Sequence, residues 1–190
     1  MSLPQRTCTL IVGAGPTGLA TALSLIHHGF QDFVIVDALS KGENSSRAIL
    51  VHAATMDVCS VSWPMFIFAD ARFLQALDTI GCGDEITSKG AKLPCITQST
   101  RTTTLTQVPF ECLKQYTKHT YGLIIPQLLT EHALGQKLAS FGVKVHRPYR
   151  VVGMKPNSDD VKLADVTFED GQVITAKYII AADGAHSTVG

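Results

Sequence analysis

Residues 13–18 read Gly-Ala-Gly-Pro-Thr-Gly, a G-x-G-x-x-G spacing suited to a ligand that carries phosphates. Each glycine has its own task in that chemistry. Gly13 permits a tight turn, Gly15 lets backbone approach a pyrophosphate, and Gly18 lets a helix pack closely on a strand. Pro16 and Thr17 open the helix, whose free amides and positive dipole end attract the phosphates. Asp37 follows at the distance, about 20 residues, at which an acid accepts hydrogen bonds from a ribose. Its negative charge disfavours a 2′-phosphate there, so the pattern points to FAD or NAD rather than NADP.

These residues need a strand before the glycines and a helix after them. Thr7–Val12 is a short apolar run of β-formers, expected as a buried parallel strand. Pro16–His28 is expected as a helix with Leu19, Ala22, Leu23 and Ile26 on one face and Gly29 as its stop. Asp32–Asp37 supplies the second strand, completing a right-handed βαβ unit. Helices are expected over Ser46–Val58 and Ala71–Ile80, and short antiparallel strands and loops from Gly83 to about Tyr121. Pro126–Phe141 should form another helix, with Leu128, Leu129, Ala133, Leu134 and Leu138 on its apolar face and Gly142 just beyond it. Strands are expected at Val143–His146, Arg150–Lys155, Val161–Phe168 and Val173–Ala182, the last two joined by a hairpin turn at Asp170-Gly171.

Composition narrows the function classes. The chain has 190 residues, 45% hydrophobic and 17% charged, with no formal net charge. That balance calls for neither nucleic acid nor an anionic membrane as a partner. The low charge content suits a piece that buries surface against further protein, although a very compact domain looks similar. Five cysteines with no C-x-x-C pair, and seven histidines without metal spacing, imply a reducing compartment and no metal site. The apolar N-terminal run leads into the glycine motif rather than a cleavage site, and Val61–Phe68 is short of the ~20 residues that span a bilayer. A cytoplasmic location is the expectation.

Beyond the glycine motif, three further segments occur in a recognisable order: Ser46-Arg47-Ala48, then Ile125-Pro126-Gln127 followed by Glu131, then Ala182-Asp183-Gly184. With them the chain resembles the para-hydroxybenzoate hydroxylase and phenol hydroxylase family of FAD monooxygenases, its fungal members most of all. The resemblance covers nearly the whole chain. It implies an α/β fold: a Rossmann-like FAD-binding domain over 1–190, with the βαβ dinucleotide unit and an antiparallel β insert, incomplete at its C-terminal end. The segment 88–122 resembles the start of the family's substrate domain. The resemblance further implies that Arg47 lies near the flavin's diphosphate and ribityl region, that Gln127 contacts the ribityl side, and that Asp183 helps hold FAD.

The implied activity is hydroxylation of a phenolic or other aromatic substrate, with NAD(P)H as a transient reductant of the flavin. Cofactor chemistry explains why no nucleophile or catalytic dyad is visible, and no residue is assigned as catalytic. Tyr116 and His119 lie in the part resembling the first pocket-lining strands, yet read more simply as filler in a threonine-rich loop. Two departures stand out. The pattern stops just after the Asp183-Gly184 motif, which leaves an FAD-binding fragment without turnover as the alternative. Residues 59–75 interrupt the pattern with an apolar run in which Pro64 breaks any helix. An insertion loop and a translated intron both account for that run. An NAD-dependent dehydrogenase is disfavoured, because it leaves the Asp183-Gly184 segment unexplained.

Overall fold

The structure is a computed structural model that describes residues 3–40, 48–50, 74–184 and 187, with backbone alone at 48–50 and 98–99. The chain divides into two compact units, one formed by 1–45 and 134–190 and the other by 46–133.

The first unit is built on a five-stranded sheet. β1 (Arg6–Val12), α1 (Pro16–His27) and β2 (Phe33–Val36) form the expected βαβ unit, with Thr9 opposite Phe33 and Val12 opposite Val36 in parallel register. Strands β8 (Val151–Pro156), β9 (Ala164–Phe168) and β10 (Val173–Ala181) complete the order β2-β1-β10-β9-β8. β10 runs parallel to β1, while β9 and β8 return antiparallel. The C-terminal half of β1 is apolar without alternation because both its faces are covered: Leu10, Ile11 and Val12 are all buried. The core joins Leu10, Val12, Val34 and Val36 to Val166, Phe168, Ile174 and Ala176 from the antiparallel part. Tyr149 packs edge to face on Phe168 with centroids 5.7 Å apart.

Turn chemistry sets the boundaries here. Gly29 ends α1 at φ +79°, and Gly171 sits at φ +82° in the β9–β10 turn, where Asp170 Oδ1 accepts from the Gln172 amide at 3.0 Å. The strand expected from Val161 begins only at Ala164. Asn157 Oδ1 accepts from the amides of Asp159 and Asp160, and Asp160 Oδ1 from that of Lys162, so the chain folds into a side-chain-capped loop. Val161 is left exposed in that loop. The strand expected at Val143–His146 reduces to one parallel bridge between Val36 and His146.

The second unit holds a three-stranded antiparallel sheet in the order β3 (Ala48–Leu50), β7 (Gly122–Pro126), β4 (Ala91–Leu93), and a hairpin of β5 (Cys95–Ser99) with β6 (Thr104–Pro109). The helix expected over Ser46–Val58 is corrected at 48–50, where the backbone pairs with Ile124–Pro126 in β7. A partner strand outweighs the weak local helix preference. The rest of that span lies outside the described residues, as does most of 59–75. A helical stretch at 74–79 ends at Gly81, φ +70°. α2 (Gly83–Lys89) follows where strands and loops were expected. Asp84 and Glu85 in its first turn and Lys89 in its last complement the helix dipole.

A 3₁₀ turn at Phe110–Leu113 buries Phe110 and Leu113 beneath Ile96 and Val108 of the hairpin. α3 (Gln127–Ser140) runs on from β7. Its buried face is Thr130, Ala133, Leu134 and Leu138; Leu128, expected on that face, is 41% exposed. Among the described residues, no helix is long and apolar enough to cross a membrane.

His119 is not loop filler. It is buried, with Nε2 2.7 Å from Asp78 Oδ2 and Nδ1 3.1 Å from the Tyr121 hydroxyl. The Lys118 ammonium lies 3.1 Å from the same Asp78 oxygen, and the Lys92 ammonium lies over the Tyr121 ring. Burial raises the Asp78 pKa, but the hydrogen bonds from His119 and Lys118 outweigh it and leave the carboxyl below its ordinary value. The imidazole thus ties the end of the 74–79 helix to the segment leading into β7. Truncation to His119→Ala strands the Tyr121 and Asp78 groups and should cost about 1–3 kcal/mol in a denaturant titration, whereas Tyr116→Ala, at an exposed side chain, should cost little.

Candidate cofactor site

The candidate site lies in the first unit, at the C-terminal ends of the parallel strands β1, β2 and β10. β1 sits between β2 and β10, so the chain departs from it in two directions, and that switch point is where open α/β sheets bind ligands. Gly13 leaves β1 at φ +103°, its amide donating to the Val36 carbonyl at 2.8 Å. A Cβ at Gly13 would run into the carbonyl of Ala182 and approach the amide of Asp183. Gly18 is equally constrained, since a Cβ there would meet the carbonyl of Gly13. The Ala182 amide in turn donates to the Val12 carbonyl at 2.7 Å. The two glycines thus let β1, α1 and the Asp183-Gly184 turn converge at van der Waals distance.

The helix start faces no competing acceptor of its own. Gly15 is the N-cap and offers no side chain, Pro16 occupies the first turn, and no acidic residue lies in that turn. Helix geometry leaves the Thr17 and Gly18 amides without an intrahelical acceptor, because the first such bond runs from Leu19 to the Gly15 carbonyl at 3.0 Å. An anion fits this end electrostatically and by hydrogen bonding.

Asp37 has a larger structural part than the sequence suggested. Its Oδ2 accepts from the Ala14 amide at 2.6 Å and its Oδ1 from the Leu39 amide at 2.8 Å. Arg147 Nη1 stands 3.3 Å from the same Oδ1 and 3.2 Å from the Leu39 carbonyl, while Nη2 donates to the Ala14 carbonyl at 3.4 Å. The backbone joins in: the Asp37 amide donates to His146 O at 3.0 Å, and Tyr149 N donates to Asp37 O at 2.7 Å. Burial, then Lys144 and the chain's N-terminal charge, pull the His146 imidazole below its ordinary pKa. Arg147 gave no signal in the sequence, because its partners are two backbone carbonyls and an acid 110 positions away.

The structure therefore brings together Gly13, Gly15, Pro16, Thr17, Gly18, Asp37 and Asp183. Gln127 begins α3 in the second unit, where its amide nitrogen donates to Glu131 Oε1 at 2.6 Å. Arg47 lies outside the described residues. Two alanine variants separate close packing from turn conformation. Gly29→Ala, with nothing near its Cβ, should cost about 1 kcal/mol from left-handed strain. Gly13→Ala adds a backbone collision and should cost at least ~3 kcal/mol in the same unfolding measurement.

Comparison with known proteins agrees with this geometry. The profile of the FAD binding domain family matches residues 6–61 and 68–190, with its break inside the 59–75 segment. A rifampicin monooxygenase of Streptomyces venezuelae is 27% identical over 180 residues, covering 95% of this chain and 32% of that protein. A 12-dehydrotetracycline 5-monooxygenase/anhydrotetracycline 6-monooxygenase of Streptomyces rimosus is likewise 27% identical, over 97% of this chain and 32% of its own length. In fold, p-nitrophenol 4-monooxygenase from Pseudomonas putida superposes with a TM-score of 0.74 over 98% of this chain and 43% of that one, at 23% identity. The chain spans about a third of the length of the curated relatives it matches. On the match across both halves of the sequence, with the glycine cradle, acid and sheet order that such a domain requires, the chain belongs to the FAD binding domain family.

Proposed function

We propose that this chain is the FAD-binding part of an NAD(P)H-dependent flavoprotein monooxygenase that hydroxylates a phenolic or other aromatic substrate. The observation that carries the reading is the assembly of the Gly13–Gly18 loop, Asp37 and the Asp183 turn at one switch point of the sheet. A glycine turn that only closed a loop would need neither a helix start left without a side-chain cap nor an acid at the end of β2.

The residues suit an FAD diphosphate and ribose. The Thr17 and Gly18 amides offer hydrogen bonds to phosphate oxygens, and the absence of a Cβ at Gly15 lets the diphosphate come close. Asp37 keeps part of its acceptor capacity for a ribose hydroxyl, since a carboxylate takes more hydrogen bonds than the loop uses. The Asp183 backbone is fixed against Gly13, which sets where its carboxylate can act. The family pattern adds Arg47 and Gln127 as proposed ligands of the same cofactor, and 88–122 as the proposed start of the substrate domain. FAD, once bound, supplies the redox chemistry and the activation of oxygen; the protein's part is binding, orientation and exclusion of water. The named relatives from both Streptomyces species are monooxygenases, which favours this class over a dehydrogenase. Free cysteines at Cys8, Cys82, Cys95 and Cys112 suit the cytoplasmic location we propose.

The test is an absorbance spectrum of the purified chain after incubation with FAD and removal of free cofactor. A flavin spectrum in near-stoichiometric amount, bleached by NADH or NADPH, is the expected outcome. Retained flavin that neither nucleotide bleaches removes the reductant from the proposal, and a colourless protein overturns the cofactor role of the chain.

A further inference from the structure

Gln127 opens α3, and Glu131 lies one turn later on the same side of the helix, as residues four apart do. The Gln127 amide nitrogen donates to Glu131 Oε1 at 2.6 Å, and both side chains are half-buried. A bond this short to a carboxylate holds an amide more firmly than a neutral partner would. It also decides which way round the amide is held. An ionised carboxylate accepts and never donates, so the end turned to it must be the nitrogen. The carbonyl oxygen of Gln127 is then kept away from Glu131, with its lone pairs available to a donor.

We propose that Glu131 is a positioning residue for Gln127, holding the amide so that its carbonyl oxygen accepts from a hydroxyl of the cofactor's ribityl chain. The proposal rests on the reading above that Gln127 is a ligand of FAD. A phosphate is the wrong partner for this amide on two counts. Its oxygens accept, whereas the amide nitrogen is already turned to Glu131, and the carboxylate's negative charge repels it. A polyol hydroxyl donates, and meets the carbonyl. Because the glutamine is ordered before the ligand arrives, FAD does not have to immobilise a flexible side chain on binding. A pair that served only the helix would leave cofactor affinity unchanged.

Flavin fluorescence titrations give FAD affinity for wild type, Gln127→Ala, Glu131→Gln, Glu131→Met and the Gln127→Ala/Glu131→Met double variant. ADP, which has the diphosphate but no ribityl chain, is titrated alongside by calorimetry. Glu131→Met should weaken FAD by about tenfold, the scale of one hydrogen bond, and leave ADP as it was. Glu131→Gln, whose own carbonyl can still accept from Gln127, should stay close to wild type. In the Gln127→Ala background Glu131→Met should cost nothing further. A readout free of cofactor is the side-chain amide resonance of Gln127 in the unliganded chain, which Glu131→Met should shift. An unmoved resonance, unchanged FAD affinity in Glu131→Met, an equal loss for ADP, or a full further loss in the double variant each overturns the role of Glu131. Wild-type FAD affinity in Gln127→Ala, with the resonance still shifted by Glu131→Met, overturns instead the reading of Gln127 as a ligand, and the proposal falls with it. A wild-type chain that does not bind FAD overturns the cofactor reading as a whole.

Discussion

The close approach of three backbones at Gly13 is the constraint on which the first unit depends. β1 must leave the sheet, α1 must start almost at once, and the turn after β10 must pass beside both. Gly13 and Gly18 make this possible by having no Cβ to place against the Ala182 and Gly13 carbonyls. Asp37 then fixes the loop from the other side, through the Ala14 and Leu39 amides and Arg147. Each charge-assisted bond to a largely buried carboxylate contributes about 1.5–3 kcal/mol, enough to hold a loop that has no regular structure of its own. The same geometry leaves the Thr17 and Gly18 amides without an intrahelical acceptor. The residues that permit the packing are thus those of the proposed cradle.

That double use explains why the first unit was largely legible in the sequence. Thr7–Val12, Pro16–His28 and Asp32–Asp37 are local patterns with local causes, and each matches an element to within a residue or so. Gly29, Gly142 and Gly171 all adopt positive φ where the chain had to turn. Misreadings arose where a distant partner decided. Residues 48–50 form a strand because β7 lies beside them, and Leu128 is exposed while Thr130 is buried because the helix faces its core at a slightly different angle. His119 looked like filler among threonines, and only the folded chain brings it to Asp78 and Tyr121.

The site divides in the same way. Glycines and an acid at fixed spacing announce a dinucleotide, since their roles follow from backbone geometry. Arg147 carries no such signature, because it acts on carbonyls that any sequence possesses. Its spacing marks Asp37 as a ribose acceptor, yet its two carboxylate oxygens each accept from a backbone amide of the protein. An acid in this position holds the glycine turn itself, through the Ala14 and Leu39 amides.

The central claim, that the Gly13–Gly18 loop and Asp37 form the FAD cradle, is tested most directly by titrating the isotope-labelled chain with FAD and following its backbone amide resonances. The account predicts that the amides of Gly13, Ala14, Gly15, Thr17, Gly18 and Leu39 shift first and furthest, with Asp183 among them. Saturable shifts confined to other residues, with these amides unmoved, would contradict it.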